Sequence, residues 1–160
     1  MSLRKSRSSA LLVYGTVFVA LLLMLVPLPR FLSVLRPPLV ALVILYWSTM
    51  SPRSGGILVG FLSGLLIDLL QGSLLGEHAL ALSLVTYLAV RMHLMTRAKP
   101  IFEQGLLVLI GLLLHEGLIW AIDGWSGHPL NNWLRWLPCF TGAALWPVVV
   151  GVLGRLHAPR

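Results

Sequence analysis

The chain does not alternate apolar and polar positions. It strings long apolar runs between short polar or proline-rich breaks, and the breaks predict six helical spans. The first covers about 10–29 and closes at Pro27 and Pro29. The second, 37–50, opens behind Arg36-Pro37-Pro38, where proline in a first helical turn costs little because those amides have no intrahelical partner. Pro52 and Gly55-Gly56 make a turn into the third, 56–71. The others are 77–95, 101–122 and 132–155.

Length separates these runs. A helix rises 1.5 Å per residue, so a bilayer core of ~30 Å needs ~20 residues. The second and third runs, 37–50 and 56–71, fall short of that. Short helices at membrane depth are tolerated where protein covers their ends. Both are therefore expected inside the bundle or beside a partner. A re-entrant hairpin of the two is the alternative.

Composition agrees with the pattern. Of 160 residues, 58% are hydrophobic and 11% charged, and mean hydropathy is +0.90. The bilayer is the natural solvent for such a chain, as one integral-membrane domain without a soluble module. The net charge of +7 does not point to nucleic acid. The cations sit between apolar runs, where they orient helices and meet anionic headgroups. With six spans, the N-terminal side collects Arg4, Lys5, Arg7, Arg53, Arg91, Arg97, Lys99, Arg155 and Arg160, against Arg30, Arg36 and Arg135 opposite. That bias predicts both termini in the cytoplasm. A five-span reading fits the charges less well. The N-terminal run is long for a signal peptide and ends in PLPR rather than small residues, so it reads as a retained span. The lone Cys139 predicts an inert buried thiol.

The third run carries the densest pattern, GFLSGLLIDLLQGSLLG over 60–76. Gly56, Gly60, Gly64, Asp68, Gly72 and Gly76 fall four apart. On a helix such residues share a ridge, and glycines there let another backbone approach closely. The neighbour is either a span of this chain or a partner's helix. Asp68 is an acid among apolar residues, which favours an inward position or a partner. It either caps the following turn by accepting backbone N–H groups, contacts a partner, or handles a proton or ion. Gly72 to Gly76 reads as a turn, and Glu77-His78 opens the fourth span with an acid where the helix dipole favours it.

His115 and Glu116 place polar groups inside the fifth run, and Glu116 shares a face with Asp123. A contact with the third or fourth span is the expected use. Zinc is excluded by the lack of paired His or Cys at ligand spacing. The aromatics Tyr46, Trp47, Trp120, Trp125, Trp133, Trp136 and Trp146 are expected mainly at membrane borders or bundle seams. Trp146-Pro147 predicts a kink in the sixth span. No nucleophile elbow, phosphate loop or dinucleotide fingerprint occurs, so no catalytic residue and no cofactor is nominated.

RPPLVALVILYW (36–47), the 60–76 segment with Ala79, and Leu145-Trp146-Pro147 together resemble the MreD family of rod shape-determining membrane proteins. The resemblance spans most of the chain in order. It implies a non-enzymatic inner-membrane component of the cell-wall elongation machinery. The implied partners are an MreC-like bitopic scaffold, the actin-like MreB, the glycosyltransferase RodA and a class B penicillin-binding transpeptidase. It also implies a fold like the six-helix S components of vitamin importers. Two functions follow. In the first, the glycine face from Gly56 to Gly76 docks the partner helix, while Arg53, Arg91, Arg97 and Lys99 meet lipid or cytoskeleton. In the second, Asp68, His115 and Glu116 share a polar cavity of a solute-binding transport subunit. Neither reading decides whether a homodimer forms.

Overall fold

The computed structural model describes residues 2–27, 29, 34–127 and 133–157, with side chains from residue 10 onward. The side chains of Arg4, Lys5 and Arg7, together with Arg30, residues 128–132 and Arg160, lie outside that description. So do parts of the first and sixth predicted spans and of the 123–131 loop.

Every regular element among the described residues is helical. They are α1 (Ser2–Leu25), α2 (Leu39–Met50), α3 (Ile57–Gln71), α4 (Glu77–Arg91), α5 (His93–Ala98), α6 (Ile101–Trp125), a 3-10 turn (Trp133–Trp136) and α7 (Leu137–His157). Two stretches, Ile101–Trp125 and Trp133–His157, are long and apolar enough to cross a membrane. The apolar part of α1, Ala10–Leu25, and helices α2 and α3 are shorter. Five apolar helical segments are thus present among the described residues, α4 not being one of them, and these lengths do not amount to six full crossings.

Prolines set several starts and one stop. Pro38 precedes α2, and its carbonyl accepts from Leu42 N at 3.0 Å; Pro100 does the same for Gln104 N at 3.1 Å. Helix α1 ends at Leu25, just before Pro27. The predicted fourth span is broken. Met92 leaves helical geometry (ψ 6°), and the His93 ring nitrogen Nδ1 sits 2.6 Å from the Val90 carbonyl. That ring satisfies an acceptor which the next turn would otherwise use, and the chain restarts as α5.

The short α2 is the centre. It packs on α1, α4, α5 and α7, with smaller contacts to α3 and α6. Its residues from Val40 to Thr49 are buried except Val43. This meets the expectation that the second run lies inside the bundle. Tyr46, Trp47 and Trp146 are core residues rather than border residues. Trp47 and Trp146 are 0% exposed, whereas Trp125 and Trp133 are 94% and 86% exposed and do suit a border. Two aromatic N–H groups find partners: Trp47 Nε1 donates to Thr16 Oγ1 at 2.9 Å, and Trp146 Nε1 to Gln104 Oε1 at 3.3 Å. Such pairing lets indole rings lie deep in a core.

Helix α3 is not interior. It pairs almost wholly with α4, the most extensive helix contact in the molecule. Its other face, with Leu58, Leu62, Leu66 and Leu69, is exposed. Pro147 lies within α7, and the helix runs through it. Proline there frees the Ala143 carbonyl from its intrahelical bond. Gly105 of α6 lies against that oxygen, which is 3.7 Å from where a Cβ would stand. Cys139 is buried, as expected, with Sγ 3.5 Å from the Leu112 carbonyl oxygen.

Candidate functional site

The α3–α4 hairpin is built on the glycine ridge. A Cβ at Gly64 would stand 2.4 Å from Ala79 Cα and 2.5 Å from the His78 carbonyl oxygen. At Gly60 it would stand 2.5 Å from Thr86 Oγ1 and 3.2 Å from the Leu82 carbonyl oxygen. The expected landing face for a partner's helix at Gly60 and Gly64 is therefore occupied by α4 of the same chain. The close approach predicted for these glycines is real, and it is intramolecular. Gly72 and Gly76 are not on the packed ridge. They take positive φ (67° and 105°) in the turn, with open space around them. Gly56 stands just ahead of α3, half-buried.

Asp68 is 1% exposed and organises this turn. Its Oδ1 accepts from His78 N at 2.9 Å and Ser73 Oγ at 3.0 Å, and lies 2.8 Å from His78 Nδ1. Its Oδ2 accepts from Gly76 N at 2.9 Å. Its backbone carbonyl also accepts from Gly72 N and Ser73 N, closing the end of α3 with left-handed glycine. One residue thus ends one helix through its carbonyl and caps the next through its carboxylate. It satisfies amides that would otherwise be orphaned at the α4 N-terminus, where the dipole favours a negative charge. The capping role is the one the geometry gives. Glu77 sits in the first turn of α4, as its position in the sequence foretold.

His78 leads from the turn into a cavity of about 230 Å³. His115 and Glu116 of α6, Arg36 and Gln71 share its lining, with Pro38, Ile67 and Leu82 among the apolar walls. The His78 and His115 rings lie 6.0 Å apart between centroids. Of the three residues expected to meet in a polar cavity, His115 and Glu116 do so. Asp68 does not line it, and reaches it only through His78.

Glu116 bonds neither α3 nor α4, contrary to expectation. Its Oε1 accepts from Arg135 Nε at 2.8 Å, and Arg135 Nη2 donates to Asp123 Oδ2 at 3.0 Å. The two acids on one α6 face share a cation from the 3-10 turn before α7. Their seven-residue spacing signalled a common partner, but nothing local named Arg135. Arg36 was likewise legible only as a charge. Its Nη1 donates to Val26 O at 3.1 Å and its Nη2 to Leu23 O, which ties the carbonyl end of α1 to the start of α2.

At the opposite end lie the basic residues of the sequence reading. Arg53, Arg91 and Arg97 are exposed, and Lys99 is half-buried with Nζ 2.5 Å from Glu103 Oε2. Among the described residues no group of three His, Cys, Asp or Glu is arranged to hold a metal.

Comparison with known proteins gives a consistent result. A family model described as rod shape-determining protein MreD matches residues 5–155. The rod shape-determining protein MreD of Haemophilus influenzae is 34% identical over 139 residues, covering 87% of this chain and 86% of that protein. No solved structure matches the chain.

Proposed function

This chain belongs to the MreD family of rod shape-determining proteins, and from that premise we propose that it is a non-enzymatic membrane adaptor of the cell-wall elongation machinery. The family match over residues 5–155 carries the reading. In it, six helical segments form a multi-pass bundle in the inner membrane with both termini cytoplasmic. The adaptor docks the transmembrane helix of an MreC-like scaffold. It links that scaffold to MreB-like filaments and to RodA with its class B transpeptidase.

The docking surface is the outward face of α3. The glycine ridge holds α4, so a partner meets the opposite side, where Leu58, Leu62, Leu66 and Leu69 stand 46–66% exposed. Helix α3 has 15 residues, ~22 Å at 1.5 Å per residue, too short to cross unaided. A neighbouring helix alongside it would cover ends that lipid cannot satisfy. Asp68 then acts within this chain by fixing where the presented helix stops. The exposed cations Arg53, Arg91 and Arg97, with Lys99, suit anionic headgroups and the cytoskeletal side.

Photo-crosslinking in native membranes tests the surface. A crosslinker at Leu62 or Leu66 is expected to capture the MreC-like partner, and one at Phe18 or Val152 is not. Capture from the two control positions alone would put the partner elsewhere on the bundle.

A further inference from the structure

The cavity between the ends of α2, α3, α4 and α6 holds a polar group that the packing leaves unused. His115 is 8% exposed, and its Nε2 is buried with no hydrogen-bond partner among the described residues. Buried nitrogens are nearly always paired, so one left alone beside a cavity points to a missing partner. Two other polar residues of the lining, His78 and Glu116, are already engaged. His78 Nδ1 is taken by Asp68 at 2.8 Å, and Glu116 pairs with Arg135 at 2.8 Å, a cation it shares with Asp123. Arg36 is the remaining cation in the lining. Its guanidinium meets backbone carbonyls, and no carboxylate pairs with it among the described residues.

The space is suited to a small body. At about 230 Å³ it exceeds the ~150 Å³ apolar cavity that suffices for benzene. Its walls include Met24, Pro38, Ile67 and Leu82. A cation without a carboxylate partner among the described residues and an unpaired imidazole beside apolar walls make a site of mixed character. Few polar groups and many apolar ones is the usual composition of a small-molecule pocket.

We propose that this cavity binds a small amphipathic carboxylate. The carboxylate accepts hydrogen bonds from Arg36 and from an N–H of His115, and the apolar body lies against Met24, Pro38, Ile67 and Leu82. A carboxylate has acceptor capacity for both donors at once. Arg135 draws the Glu116 carboxylate to itself and offsets part of its repulsion. The proposal stands apart from the adaptor reading and survives if the docking face on α3 proves wrong.

The test uses the full chain purified in lipid nanodiscs, with benzoate and hexanoate as probes. Benzyl alcohol and hexanol serve as neutral controls of the same bodies, and acetate as a control without one. Both acids are expected to raise the unfolding temperature saturably. The neutral analogues are expected to bind roughly tenfold more weakly, the effect of losing a charge-assisted hydrogen bond. Arg36→Gln and His115→Phe are expected to weaken the acids to the level of the neutral analogues. Should those variants not fold, the wild-type chain with ¹⁵N-labelled histidine supplies the answer. The His115 ring resonances are expected to shift with benzoate and not with acetate. Equal stabilisation by acids and alcohols, or an unchanged His115 signal at saturating benzoate, overturns the proposal. So does a His115 signal that responds to a co-purified partner protein and to neither acid, since the cavity then belongs to a protein segment.

Discussion

At the scale of single residues, the molecule depends on a few polar atoms with many partners. The Asp68 carboxylate accepts from three backbone amides and a serine while buried, so its loss removes several bonds at once. Asp68→Ala is expected to cost ~2–4 kcal/mol, measured by denaturant titration in detergent. Asp68→Asn is expected to cost nearly as much, because the amide presents an N–H₂ to one of the backbone donors. Ser73→Ala, which deletes a single bond to the charged group, is expected to cost ~1–2 kcal/mol. An Asp68→Asn variant as stable as the native chain would show that the clamp contributes little. The acids of α6 give a second case. Arg135→Ala strands both Glu116 and Asp123, so the triple change to Ala at all three positions is expected to destabilise less than Arg135→Ala alone.

Between helices, the hairpin of α3 and α4 is fixed by the absence of side chains. Gly64→Ala places a methyl carbon 2.4 Å from Ala79 Cα, a backbone atom that cannot rotate away. The helices must separate, at an expected cost of ~1–3 kcal/mol in a denaturant titration. Gly72→Ala meets no neighbour, but it forces a left-handed conformation on an L-residue, for ~1–2 kcal/mol. The contrast distinguishes the ridge from the turn. Gly64→Ala should loosen the whole hairpin and raise hydrogen exchange along both helices. Gly72→Ala should affect only the end of α3. The spacing of four displayed the ridge in the sequence. It did not say whose backbone would occupy it, because a groove for a near helix and a groove for a foreign one have the same pattern.

Across the whole molecule, charge separates the two ends. Arg36 and Arg135 lie at the end of the α3–α4 turn, and Arg53, Arg91, Arg97, Lys99 and Arg155 lie at the other. Reporters fused at residues 1 and 160 are expected to read cytoplasmic, and one inserted after Ser126 to read periplasmic. A cytoplasmic reading at Ser126 would reverse the proposed orientation. The short α2 belongs to this scale as well. The run from Leu39 to Met50 is almost uniformly apolar, which told only that it would be buried. Its place at the centre arises because α1, α4, α5 and α7 pack around it.

By itself, the sequence determined the main helical segments and their breaks other than the one at Met92, the short second and third runs, the tight glycine ridge and the kinship with MreD. These are local or near-local properties, set by hydropathy, proline and spacing along one helix. The tertiary structure alone decided that α4 fills the glycine ridge, that α3 lies outside and that Trp47 and Trp146 are core. It also decided that Glu116 and Asp123 take their cation from Arg135, and that His115 stands beside an open cavity. The physical reason is that a polar or small residue advertises a need for a neighbour, while the neighbour is chosen by how helices distant in sequence pack.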